Sequence, residues 1–474
     1  MTSRLVLEHK RPYLDFFYTQ TPLLPYAYGL WIKLFGISWF AARSLSAALT
    51  TIIGMLIYEY VCRETQKWIA GLIAVILFGS STYIFAWFPI VKTYSLTALF
   101  LFSAYAIVTR LSPSSSPWLV GAGGLLFGLS VDTRSYVVGL APLFLWWISR
   151  QPETRHAYSR ILWFLGGFTI GILPCLYFFI ASPDLFLFDN FGFHAIRSNS
   201  GLIGDWKQKV IVVAQIVLLR MSDGDNTGQF RILSAVSLAA ILALRMRRSA
   251  ALLAFLIAFV LALISILPTP SFVQYFCLCM PFLVVAAACA TNEYIASLQA
   301  AAPKRTLTLV GLAVLLAAFV ASSVPSLARY LVTGDSITGV KNTYDTPNWT
   351  LGKVSAVSRA IDQLAGPNEE IASFWPGYIF ASKTGPYPGF ENDFGWLITD
   401  RLTAGQRAKY HIIGTTEVQA HFAAHNPRIV VLGNQGNNGS RSPSEYAKIL
   451  RANDYTAVLN IGDTSIFVCC STRQ

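Results

Sequence analysis

Of the 474 residues, 54% are hydrophobic and only 13% are charged, a balance that excludes an ordinary soluble domain and calls for a polytopic membrane protein. The net charge of +12 is accounted for by basic residues flanking membrane helices; no basic stretch interleaved with exposed aromatics lies outside those flanks, so no nucleic-acid partner is expected. The seven cysteines make no disulfide framework and no zinc spacing: Cys62, Cys175, Cys277, Cys279 and Cys289 lie in apolar runs, and Cys469 and Cys470 are adjacent at the end, so neither a structural metal nor a cofactor is expected.

Residues 1–21 are polar and hold no apolar core of a signal peptide. Within them starts R-P-Y-L-D-F-F-Y-T-Q-T-P-L-L-P-Y-A-Y-G-L-W-I-K-L-F-G, from Arg11 to Gly36. Its apolar part, about 15 residues, falls short of the roughly 20 that a spanning helix needs, and Pro22 and Pro25 stand at its start. It therefore reads as a helix lying along the membrane interface, where Tyr13, Tyr18, Tyr26, Tyr28 and Trp31 suit the headgroup level. Asp15, in the loop before it, is the leading candidate for a catalytic acid; a carboxylate that caps the helix or meets Arg11 is the alternative.

Apolar runs follow at 39–62, 68–88, 93–109, 117–131, 135–149, 160–181, 230–246, 250–267, 273–290 and 306–325, about ten spans, several near the lower length limit. Arg63, Lys67, Arg110, Arg150, Arg155, Arg160, Arg245, Arg247, Arg248, Lys304 and Arg305 fall on one side, which should be cytoplasmic. The Asp15 loop, the Val91 to Thr93 turn, the segment from Ser182 to Gln229 and the C-terminal region then lie outside.

The segment from Ser182 to Gln229 gathers Asp189, His194 and Arg197 in F-D-N-F-G-F-H-A-I-R-S-N; the group reads as a phosphate partner or as a solvated loop with incidental charges. Beyond about Leu331 the composition becomes that of a soluble domain. Leu351 to Leu364 has helical periodicity, and so do Glu417 to Ala424 and Ser444 to Asn453. Ile371 to Trp375, Arg428 to Leu432, Thr456 to Ile461 and Thr464 to Val468 read as strands, the last two joined by a Gly462-Asp463 hairpin. The fold class is thus a polytopic α-helical membrane protein with interfacial helices and a C-terminal extracytoplasmic α/β domain, divided as 1–37, 38–330 and 331–474. Asn348-Trp349-Thr350 and Asn438-Gly439-Ser440 fit the glycosylation pattern.

P-Y-x-D-F-F-Y-x-Q-x-P-L-L-P-Y, then a short apolar helix, F-G, and Ala-Arg-Ser-Leu-Ser at Ala42 to Ser46, resembles the first extracytoplasmic loop and second membrane helix of the C-type glycosyltransferases, in particular the bacterial protein O-mannosyltransferase and aminoarabinose transferase family. The resemblance extends over roughly residues 3 to 290. It implies an integral protein of the bacterial plasma membrane that moves a hexose or pentose from a polyprenyl-phosphate carrier to an extracytoplasmic lipid, glycan or protein, with inversion and without a cofactor. A non-catalytic membrane scaffold of the same fold and a transporter of lipid-linked substrates are the competing readings. Family members begin with a membrane helix and an Asp-Glu pair before a helix resembling Thr2 to Glu8, so a helix and acids upstream of Met1 are expected.

Such a site needs a carboxylate for the acceptor's proton and cations for the departing phosphate. Asp15 matches the family's Tyr-x-Asp-Phe position. Arg134, in V-D-T-R-S, matches the T-K or T-R of relatives, while Lys92, in F-P-I-V-K-T-Y, departs from the acid many relatives carry. Snorkelling to headgroups or a pair with Asp132 is the alternative for these cations. Pro268 to Phe276, P-T-P-S-F-V-Q-Y-F, resembles a later external turn in which Gln274 and Tyr275 would bond a phosphate or sugar hydroxyl, or Tyr275 would serve as an aromatic anchor.

Overall fold

The computed structural model describes residues 1–112, 114–150, 157–198, 201–217, 227–246, 249–299, 303–333, 351–433 and 442–470. Arg155, Arg247, Arg248 and both glycosylation patterns lie outside them. The protein is mostly helical, with a small sheet near its C-terminus.

Each apolar run of the sequence forms helix, but the runs are not alike as spans. Trp39–Thr65, Val273–Ser297 and Pro303–Ala328 are long and apolar enough to cross a membrane, and Ala157–Gly171 with Leu173–Ala181, bent by 57°, makes a fourth if the pair is one span. The others are shorter, and the breaks have local causes. Trp68–Gly79 is only 12 residues, about 18 Å of helix, before the chain turns into Thr82–Trp87. Prolines near the starts of Ala141–Ser149 and Leu173–Ala181 lack the donor that a continuous helix would need there. Among the described residues, three or four of the apolar runs are thus full-length helices and the others are shorter.

Small residues let some helices approach closely. A Cβ on Gly124 of Pro117–Thr133 would overlap the Phe164 carbonyl, and one on Gly167 of Ala157–Gly171 would overlap the Gly121 carbonyl.

The bundle has two chemically distinct ends. At one, Arg110 pairs with Glu59 at 3.0 Å, Arg63 pairs with the same carboxylate, Lys67 donates to Asn292 at 3.0 Å, and Arg160 donates to the Ser112 carbonyl at 2.8 Å. At the other, the end of Pro117–Thr133 meets the start of Thr93–Thr109 through a bond from Arg134 to Thr93. The interface-type helix of the sequence is Leu23–Phe35. It buries Leu24, Tyr28 and Ile32 and exposes Leu30, Leu34 and Phe35.

In the C-terminal region, strands β1 (Glu370–Ser373), β2 (Gly385–Pro386), β3 (Ile429–Leu432), β4 (Thr456–Ile461) and β5 (Thr464–Val468) form one sheet in the order β2-β1-β3-β5-β4. β1 runs parallel to both β2 and β3, while β5 is antiparallel to β3 and β4. Period-two alternation sorts the side chains: Ala372, Val430, Leu432 and Phe467 enter one core, and Ile371, Ile429, Val431, Ile466 and Val468 enter the core under Leu351–Leu364. Both faces are covered, so β3 reads as an unbroken apolar run.

This domain sits on the polar loops. Arg4, almost fully buried, donates to the carbonyls of Ile379 (2.9 Å), Ser382 (2.7 Å) and Thr384 (2.6 Å). Asn392 donates to the Phe17 carbonyl at 3.2 Å, Arg401 to the carbonyls of Ile196 and Ser198, and Lys409 pairs with Asp184 at 3.0 Å. Phe17, Phe193, Ile398, Leu402 and Ile412 close a shared apolar cluster between them.

Candidate functional site

Arg134 follows the last helical residue of Pro117–Thr133 with extended backbone, which carries its side chain off the helix end. Its Nη1 donates to Thr93 Oγ1 at 2.6 Å. The guanidinium carbon lies 4.7 Å from the Tyr94 ring centre, 4.7 Å from that of Tyr136 and 5.2 Å from that of Tyr275, and Nε is buried without an acceptor. Three π faces thus attract the cation without neutralising it.

Lys92 caps the start of Thr93–Thr109 and places Nζ 5.0 Å from the Trp87 ring centre. Arg134 and Lys92 lie within each other's field. Among the described residues neither has a carboxylate within 4.0 Å. Two cations beside a helix N-terminus, neither in a salt bridge among the described residues, make a site that favours an anion. Tyr275 enters this cage from the 3₁₀ turn Val273–Cys279, its carbonyl accepting from Ser265 Oγ at 3.2 Å. Gln274 is its neighbour in the same turn, and its side chain makes no hydrogen bond among the described residues. Of the residues expected from the sequence, Lys92, Arg134 and Tyr275 come together here.

His194 and Arg197 bond backbone carbonyls instead. His194 Nε2 lies 3.1 Å from the Thr19 carbonyl, and burial followed by the Arg197 charge pushes the imidazole down to about 4. Arg197 donates to the Thr269 carbonyl at 2.7 Å and the Pro270 carbonyl at 3.3 Å. These two side chains tie the 182–198 segment to the first loop and to the turn that precedes Tyr275.

Asp15 realises the alternative raised by its neighbour in the sequence. Its Oδ2 accepts from the Arg11 backbone at 2.7 Å and from Arg11 Nε at 3.0 Å, and Oδ1 accepts from Nη2 at 3.1 Å. That pair holds the carboxyl below its ordinary value.

Three further acids come from elsewhere. Asp132 is fully buried, with neither oxygen in a standard hydrogen bond, and lies against the Cys175 thiol. Asp189 is 1% exposed and accepts from the Tyr18 backbone at 2.9 Å. Asp393 opens the 3₁₀ turn Asp393–Leu397 and is half-buried within the field of Lys92. Nothing local in E-N-D-F at Glu391 to Phe394 marks that acid; the docking of the C-terminal region brings it within the field of Lys92. A separate apolar hollow of about 500 Å³, lined by Trp118, Gly121, Leu125, Trp163 and Gly167, lies toward the other end of Pro117–Thr133 and holds none of these groups.

Residues 19–179 match the sequence model of the family described as dolichyl-phosphate-mannose-protein mannosyltransferase. No curated protein sequence matches the chain. Among solved structures, ArnT from Cupriavidus metallidurans in the apo state is similar over 98% of this chain and 91% of its own, with a TM-score of 0.63 at 13% identity. The structure of the same protein bound to undecaprenyl phosphate is similar over 99% and 92%, with a TM-score of 0.65 at 14% identity. The chain has the fold of these structures, and the resemblance read from Arg11 to Ser46 is borne out.

Proposed function

We propose that the protein transfers a sugar from a polyprenyl-phosphate carrier to an extracytoplasmic acceptor, with inversion at the anomeric carbon. The observation that carries this reading is the pair Lys92 and Arg134, two cations held at a helix start by aromatic rings and by Thr93, with no carboxylate within 4.0 Å of either among the described residues. A phosphate diester is the anion that such a site suits: the guanidinium offers bidentate donors, and charge-assisted bonds strengthen as the phosphate takes on charge on leaving. The ArnT structure bound to undecaprenyl phosphate supports the same donor class.

On this reading the polyprenyl tail lies between apolar helices and the phosphate rests against Arg134 and Lys92. The sugar points toward the C-terminal domain, and the acceptor arrives from that outer side. The test is binding of undecaprenyl phosphate to the purified chain in detergent. Saturable binding that falls in Arg134→Ala and Lys92→Ala supports the reading; no binding, or equal binding by both variants, overturns it.

A further inference from the structure

Resting on that donor reading, we infer that Gln208, in the helix Gly201–Val217, is a positioning residue for the phosphate: it clamps the backbone turn that presents Tyr275 to Arg134.

Between Ala250–Ile266 and Val273–Cys279 the chain runs from Leu267 to Phe272 without helix or strand, so its carbonyls need partners from elsewhere. Four of them find donors on side chains of one distant segment. Lys209 donates to the Leu267 carbonyl at 2.9 Å, Arg197 to the Thr269 carbonyl at 2.7 Å and the Pro270 carbonyl at 3.3 Å, and Gln208 Nε2 to the Ser271 carbonyl at 2.6 Å. Gln208 also closes a second bond, its Oε1 accepting from the Ser271 N–H at 3.0 Å. A side-chain amide has the donor and acceptor of a peptide group, so it holds Ser271 at two points and fixes its orientation; the Lys209 ammonium, on its long flexible stem, fixes only a distance. Ser271 is fully buried, so water does not stand in for the amide when it is removed.

The placement of Ser271 passes directly to the cage. Phe272 follows it in the chain, the Phe272 carbonyl accepts from the Tyr275 N–H at 3.0 Å, and the two rings meet edge-on with centres 5.6 Å apart. The Tyr275 ring in turn lies 5.2 Å from the Arg134 guanidinium carbon.

The helix that carries Gln208 has its polarity reversed. Over its first turns Asp205 and Gln208 are half-buried, Asp205 accepting from Ser198, while Leu202, Ile203, Trp206 and Val210 are between 61% and 87% exposed. Apolar outside and polar inside is the arrangement of a helix bathed by lipid, where a polar side chain turned inward has a bonding role. For Gln208 that role is the turn.

The experiment uses the full chain as parent, Gln208→Met, Tyr275→Leu and the double variant, all in the same detergent. Deuterium exchange at the Ser271 amide without ligand and affinity for undecaprenyl phosphate are measured. Methionine keeps the length of the side chain and loses both bonds. Exchange at Ser271 should quicken by about tenfold or more in Gln208→Met, and affinity should fall about two- to tenfold, no further than in Tyr275→Leu. In the double variant the two losses should not add, because Gln208 acts through Tyr275. Additive losses, a larger loss in Gln208→Met than in Tyr275→Leu, or unchanged affinity in Gln208→Met overturns the positioning role. Unchanged exchange at Ser271 overturns the clamp, whether or not ligand binds. If the parent chain binds no undecaprenyl phosphate, the donor reading fails and the phosphate role with it, while the exchange still decides whether Gln208 clamps the turn. Should Gln208→Met not purify, Gln208→Asn, whose amide is one methylene short of Ser271, gives the same comparison.

Discussion

Asp132 and Arg134, with one residue between them, do not pair. Arg134 turns to Thr93 Oγ1 at 2.6 Å among three tyrosine rings, and Asp132 turns to the Cys175 thiol with neither oxygen in a standard hydrogen bond. The two side chains leave the end of Pro117–Thr133 in different directions, so their substitutions should separate. Arg134→Ala should lower undecaprenyl phosphate affinity roughly ten- to a hundredfold, since a charge-assisted bond contributes about 1.5–3 kcal/mol. Lysine should restore charge without the fork and recover affinity in part. Asp132→Asn should leave affinity unaltered and change only thermal stability. Equal effects of Arg134→Ala and Asp132→Asn on binding would show a coupled structural unit instead.

The aromatic cage makes a second prediction. Tyr275→Phe keeps a π face 5.2 Å from the Arg134 guanidinium and should bind undecaprenyl phosphate normally; Tyr275→Leu removes it. A partly desolvated cation–π contact of about 0.5–2 kcal/mol corresponds to roughly two- to thirtyfold in affinity. Calorimetric titration of the two variants checks this, and loss in Tyr275→Phe would place the requirement on the hydroxyl.

How far the sequence discloses this site depends on which interactions are local. Arg134 and Lys92 stand out because charge at the edge of an apolar run is costly, and Tyr275 because it opens a helix after a Pro-rich turn. The strands β4 and β5 are marked by alternation and by the Gly462-Asp463 turn, and they form at the residues expected. The span lengths are less legible. The breaks at Ser80 and Ile172 are marked only by Gly79-Ser80-Ser81 and by Pro174, short signals inside runs long enough in total to span. Asp393 is invisible for a different reason: its place within the field of Lys92 depends on docking by Arg4, Asn392 and Arg401, contacts between distant parts of the chain.

Arg11 and Asp15 are a third test. Their side chains are 54% and 31% exposed, so solvent screens the pair and its contribution to stability should be small. Because the pair depresses the Asp15 pKa, its contribution is present above the ordinary carboxylate range and is lost as pH falls through the lowered value. Arg11→Ala and Asp15→Asn should therefore give equally small shifts in melting temperature at pH 7. A much larger loss of transferase activity in Asp15→Asn than in Arg11→Ala would return Asp15 to catalysis.

The two ends of the bundle predict orientation. Lys67, Arg110 and Arg160 gather at one end, while Arg134 and the C-terminal domain lie at the other. Reporter fusions after Lys67 and Arg150 should report cytoplasm, and fusions after Gln229 and Gln474 the outside. A cytoplasmic C-terminus would place the site on the wrong face for an extracytoplasmic acceptor.

The last prediction concerns pH. Burial raises Asp393 to about 6 against the opposing effect of a backbone bond, the Met1 amine and Lys92. Asp393, and Glu391, which burial raises to about 7, both bind their protons more tightly in the folded chain. Between their unfolded values and these raised ones the native state carries more protons, so stability from these groups declines as pH rises and improves on acidification. The melting temperature of the C-terminal region should therefore hold or climb as pH drops from 7 to 5. The measurement is the melting temperature over that interval for the parent chain, Asp393→Asn and Glu391→Gln. The rise should shrink in each variant; a rise of the same size in both assigns the titration to other groups.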